Sequence, residues 1–226
     1  MRYLFVVVLV FLSAIALASD AEVTYKFKGG RVNVPRSYIV DMSPVSYLQS
    51  LIGLDKDESS FTLSLSGSEL TNDIEGYVAN ISGRDQSLRI SIFDVYDEAS
   101  KKLLSNQKYS GAWYAKDGYE SREILPSAQS GWFLLFGSKG YRGNFLVLSQ
   151  YPDVKKVMPE NVRDFLVARC FGSNSQPFKD VKCSSKFIEQ GGVLVEVSFS
   201  YENLKLAKEI EAYVQKRLSQ WMDVTE

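Results

Sequence analysis

The chain has 226 residues, of which 45% are hydrophobic, 23% charged and 13% aromatic. These proportions exclude a disordered chain, a collagen-like repeat and a low-complexity polymer, and a chain of this length can bury a sizeable core. Its 26 basic and 27 acidic residues nearly cancel and it has no histidine, so there is no electrostatic footprint for nucleic acid and no Ser-His-Asp triad, Cys-His pair or His-ligated zinc.

The first 18 residues read as a secretory leader. Arg2 supplies the positive end, Leu4 to Leu12 is an apolar run too short to span a bilayer, and Ala16-Leu17-Ala18 fits the small-x-small cleavage rule. Cleavage after Ala18 would remove Arg2 alone among the charged residues and take the formal net charge from −1 to −2. No later segment holds 18 consecutive apolar residues, so no membrane span is expected once the leader is cleaved.

Glu22 to Lys28 alternates, with Val23, Tyr25 and Phe27 on one face. Gly29-Gly30 and a second alternating run, Arg31 to Val34, complete a predicted hairpin closed by Pro35. Ser43-Pro44 resembles a helix N-cap followed by proline at the first helical position. Val45, Leu48, Leu51 and Ile52 then repeat at helical spacing as far as Gly53. Phe61, Leu63 and Leu65 alternate with Thr62, Ser64 and Ser66, as in a strand with one wet face. Tyr77 to Ile81 and Leu88 to Tyr96 are further strands joined by Ser82-Gly83-Arg84-Asp85, the second read as central and covered on both faces.

Residues 97–130 are irregular, with a helical turn or two predicted over Glu98 to Leu104. Strands resume at Gly131 to Gly137 and Asn144 to Tyr151. Pro159 opens a predicted second helix whose face carries Val162, Phe165, Leu166 and, at its end, Cys170. Lys186 to Glu189 and Val193 to Tyr201 flank Gln190-Gly191-Gly192 as a hairpin. A last helix over Asn203 to Met222 presents Leu204, Ala207, Ile210, Val214, Leu218 and Trp221 as an apolar stripe. The fold class expected is α+β: largely antiparallel sheet with about three helices, the C-terminal amphipathic helix packed on the sheet. Residues 19–226 read as a single domain. The echo of Pro35 and Pro44 in Pro152 and Pro159 leaves open two diverged lobes, about 22–130 and 131–222.

Cys170 and Cys183 both follow the leader, with 12 residues between them. In an oxidising compartment such a pair is most simply a disulfide, since a redox pair calls for C-x-x-C spacing and a metal site for more ligands. No catalytic constellation emerges. Asp94, Asp97 and Glu98 lack the spacing of a calcium loop, Gly137, Gly140 and Gly143 lie between strands rather than before a helix, and nothing selects one serine as a nucleophile. The reading is therefore a non-enzyme without metal or cofactor.

Two groups are candidate partner contacts. Tyr109, Trp113, Tyr114 and Tyr119 lie in a polar, glycine-containing segment. There they can serve as anchors for a protein partner, stack on sugar, or fold inward over the sheet. Asp55, Asp57 and Glu58 form a small acidic loop that suits a basic partner.

The leader, the Val32-Asn33-Val34-Pro35 strand exit, the Cys170 and Cys183 pair, the Gly191-Gly192 hairpin and the amphipathic last helix together resemble small periplasmic immunity proteins. Those proteins neutralise antibacterial effectors such as those delivered by type VI secretion. The resemblance implies a periplasmic protein that masks a cognate toxin by direct contact, with no catalytic residues to carry over. The alternative is a cell-envelope module that binds glycan or a small ligand.

Overall fold

The computed structural model describes residues 22–28, 30–40, 56–57, 60–94, 113, 122–127, 130–137, 143–151, 165–172, 181–188 and 192–223. The N-terminal alternation folds as expected. β1 (Glu22–Phe27) and β2 (Gly30–Pro35) pair antiparallel, with Val23 opposite Val34 and Tyr25 opposite Val32. These four side chains are buried on one face. β3 (Lys56–Asp57) joins the other edge of β1 in parallel.

β4 (Ser60–Leu65) buries Phe61, Leu63 and Leu65 and leaves Thr62 and Ser64 on the wetter side. It leads directly into α1 (Gly67–Asp73), capped by the Ser66 Oγ, which accepts from the Glu69 N–H at 3.3 Å. β5 (Asn80–Ile81) and β6 (Arg84–Asp85) form a small hairpin. Its turn residues Ser82 and Gly83 both have positive φ, 53° and 79°, the backbone that a two-residue primed turn requires. β7 (Leu88–Asp94) buries Leu88, Ile90 and Ile92 but exposes Arg89. It is interior to the sheet yet open on one face, not covered on both.

The second half adds β8 (Glu123–Pro126), β9 (Phe133–Phe136), β10 (Asn144–Leu148), β11 (Leu166–Phe171), β12 (Lys182–Ile188) and β13 (Val193–Ser200). With β4 and β7 they make one antiparallel sheet of eight strands, ordered β4-β7-β13-β12-β11-β10-β9-β8. Strands from both 22–130 and 131–222 therefore share it. A 3₁₀ segment (Tyr201–Leu206) turns the chain into α2 (Ala207–Trp221), and β14 (Met222–Asp223) then adds to the free edge of β2. The small sheet is thus ordered β14-β2-β1-β3.

The expected α+β class with about three helices is overturned. The described residues form fourteen strands and two α-helices, so the protein is mostly β. The helix expected between Pro159 and Cys170 ends in error, because Leu166–Phe171 is β11, hydrogen-bonded between β10 and β12. The helical spacing of Phe165, Leu166 and Cys170 was misleading. In the strand Ala168 and Cys170 face the core, and pairing on both edges satisfies a backbone that local propensity alone would not direct. The helices expected at Ser43 to Gly53 and Glu98 to Leu104 lie outside the described residues.

The core is continuous between the two sheets. Tyr25 stacks on Phe61 with ring centroids 3.8 Å apart, and Tyr38 meets Trp221 at 5.4 Å. The α2 stripe Ala207, Ile210, Val214, Leu218 and Trp221 is buried in the same cluster and packs against β2. At the β8 end the sheet is covered on both faces. Leu134, Phe136, Phe145 and Val147 point into the main core, while Leu135, Leu146 and Leu148 point the other way into a second cluster. This explains why β9 and β10 read as unbroken apolar runs rather than alternating ones.

Candidate functional site

Among the described residues, α1 and α2 carry a polar surface fixed by hydrogen bonds between them. Ser66 and Glu69 occupy the N-cap and N3 positions of α1, placing the Glu69 carboxylate on the face turned toward α2. From α2, Tyr213 and Arg217 lie one turn apart on the same face. The Arg217 guanidinium donates to Glu69 Oε1 at 2.8 Å and to the Tyr213 hydroxyl at 3.0 Å. Tyr213 donates in turn to Asp73 Oδ2 at 3.1 Å, and Tyr38 donates to Glu69 at 3.0 Å. Arg217 also lies 3.6 Å from Asp73.

Burial pushes the Tyr213 phenol up to about 12, with Arg217 pulling against it. Tyr38 is raised by burial and by its bond to Glu69. Both therefore stay protonated as donors. The pairs are partly solvated, so each is worth at most about 1 kcal/mol. Their effect is chiefly to fix the two helices in one geometry.

Beside this network α1, the segment after it and α2 enclose an open groove of about 560 Å³. Ile74, Leu206, Ala212 and Tyr213 line it together with Asp73, Glu75, Glu209 and Lys216. A recess of about 150 Å³ shares Asp73, Tyr213 and Lys216 and extends along α2 to Gln220. Glu209, Ala212, Tyr213, Lys216, Arg217 and Gln220 form one stripe of the helix, opposite the buried one. The sequence reading named only the apolar stripe of this helix. The signal it passed over was Tyr213, an aromatic set in the middle of the polar face.

The expected contact residues fare differently. Trp113 is fully buried, packed with Leu135, Leu146, Leu148 and Phe165. The Arg122 guanidinium lies 5.5 Å from its ring centroid and donates to its carbonyl at 2.9 Å. Trp113 therefore closes the second core and does not present a surface. Asp57 is the second residue of β3, its backbone opposite Lys26 of β1. Tyr109, Tyr114, Tyr119, Asp55 and Glu58 lie outside the described residues. Cys170 and Cys183 are joined in a disulfide, as expected, though from strand to strand and not from helix to strand. Among the described residues no helix is long and apolar enough to cross a membrane.

No protein-family model and no curated protein matches this chain. Among solved structures it is similar to Smlt3025, an immunity protein of the Stenotrophomonas maltophilia type IV secretion system. The TM-score is 0.48 at 13% identity, over 90% of this chain and 94% of that one. It is also similar to FrpD, an iron-regulated outer membrane lipoprotein of Neisseria meningitidis, with a TM-score of 0.40 at 12% identity over 90% and 93% of the two chains. These are partial likenesses of shape, and neither assigns a function to this chain.

Proposed function

We propose that this is an exported protein, residues 19–226 after cleavage of its leader, that binds and occludes a protein partner in the periplasm. In the fuller form of this reading the partner is a cognate antibacterial effector, of the type VI kind in the first instance, and the chain is its immunity protein. The observation that carries the reading is the preformed groove between α1 and α2, braced by Tyr38, Glu69, Asp73, Tyr213 and Arg217. A concave surface already fixed before contact loses little freedom on binding, which favours affinity. The buried disulfide suits an oxidising compartment. Tyr109, Tyr114, Tyr119 and the acidic Asp55, Asp57 and Glu58 are proposed as further contacts.

The test uses the disulfide-bonded protein as bait against envelope extract of its own source, followed by an activity assay of whatever is captured. A stoichiometric partner whose lytic or toxic activity falls on adding the protein supports the reading. Capture without inhibition, or no capture from cells shown to express candidate effectors, overturns it.

A further inference from the structure

We propose that the groove between α1 and α2 receives a cationic segment of the protein partner, with lysine or arginine side chains interleaved with apolar ones. This rests on the protein-binding reading and names the chemistry of the partner at one site. The rim carries three carboxylates, Asp73, Glu75 and Glu209, against Lys216 and, 3.6 Å from Asp73, Arg217, which leaves Glu75 and Glu209 as the carboxylates in excess. The chain as a whole is almost balanced, with a net charge of −1, so the excess is local. Asp73, Glu75, Glu209 and Lys216 are exposed, while the wall beneath them is apolar: Ile74 is buried and Leu206 half-buried.

Tyr213 adds an aromatic surface that stays uncharged, and its hydroxyl is committed to Asp73 and Arg217. The site therefore offers anionic charge around a hydrophobic floor. That combination suits the aliphatic stem and charged head of lysine or arginine. An anionic lipid surface or a phosphate would be repelled by the same rim. The volume of about 560 Å³ holds a few side chains rather than a whole domain.

The probes are two fluorescein-labelled peptides of equal length, one alternating arginine and leucine, the other alternating glutamate and leucine. They are titrated by anisotropy against the disulfide-bonded protein. The arginine peptide is expected to bind, more weakly as salt rises, and the glutamate peptide not to bind. The double variant Glu75→Lys/Glu209→Lys is expected to weaken the arginine peptide by about tenfold or more. Both positions are exposed, and an unchanged unfolding curve verifies the fold; Glu209→Gln alone is the milder companion. Hydrogen exchange should show protection by the peptide over 73–75 and 206–216.

Equal binding to wild type and double variant, no binding to either, or protection elsewhere overturns the inference. A partner captured equally well by the double variant overturns this inference alone and leaves the protein-binding reading standing. Groove-bound peptide together with no inhibited protein partner overturns that wider reading instead.

Discussion

Cys170 and Cys183 face each other directly across β11 and β12, with Cα atoms 4.0 Å apart and both side chains fully buried. The bond staples the middle of the eight-stranded sheet, on the side that packs against Phe145 and Phe199. Closing a loop of 13 residues stabilises by roughly 3 kcal/mol on the loop-entropy view. Cys170→Ala/Cys183→Ala is expected to lower the unfolding free energy by that amount, seen as a lower urea midpoint with a somewhat steeper slope because the uncrosslinked unfolded chain exposes more surface. An unmoved midpoint would assign the stability to strand pairing alone. Because neither sulfur reaches solvent, a thiol reductant under native conditions should act only as fast as the sheet opens.

Gly67 begins α1 against Asp85 and Ala79. A Cβ there would lie 2.7 Å from Asp85 Oδ1 and 2.8 Å from the Ala79 carbonyl oxygen. The Asp85 carboxylate also accepts from the Gly67 N–H at 3.1 Å, so it cannot retreat without losing that bond. Alanine is the better helix former by about 1 kcal/mol, but overpacking against backbone costs about 1–3 kcal/mol. Gly67→Ala is therefore expected to lower thermal stability. A rise in Tm would show that α1 shifts freely.

Sequence reading left Trp113 open between a partner anchor, a sugar platform and a ring folded inward over the sheet. Its complete burial places it inside, so its removal is expected to cost stability. Trp113→Ala should cost about 3–5 kcal/mol and loosen the β8–β10 end of the sheet. Trp113→Phe keeps an aromatic ring and removes a buried indole N–H that has no hydrogen-bond partner among the described residues, so it should cost distinctly less. Denaturant unfolding of the two variants distinguishes these outcomes. Equal and negligible losses would return Trp113 to the surface.

Glu211, half-buried on α2, has its carboxyl raised above the usual carboxylate range by burial, with Lys208 partly offsetting this. A folded value above the unfolded one means the folded state holds the proton more tightly. Stability from this group is present below the unfolded value and is lost as pH rises through the folded one. Glu211→Gln should therefore stabilise the protein at neutral pH, and the gain should shrink toward zero in acid. Melting curves of wild type and variant across that range test it. A gain that persists in acid would place the cause elsewhere.

The β1–β2 hairpin, β4, the β12–β13 hairpin and the α2 stripe were legible because each buries one face of a periodic element. Alternation in Val23, Tyr25, Val32 and Val34, and three-to-four spacing in Ile210, Val214, Leu218 and Trp221, encode that burial locally. β11 was not legible. Its six residues fit a helical face as well as a strand, and pairing with β10 and β12, distant in sequence, decided between them. α1 left a local trace, the Ser66 and Glu69 capping pair, that its short length concealed.

Sequence alone determined the cysteine pair and the amphipathic last helix, since spacing and periodicity carry that information within a few residues. Only the tertiary structure decided that Trp113 is core and that Asp73, Tyr213 and Arg217 meet. Asp73 and Tyr213 are 140 positions apart, and Glu69 and Arg217 are 148 apart. No local pattern specifies such contacts. They arise because burying the α2 stripe against β2 leaves its opposite face lying along α1.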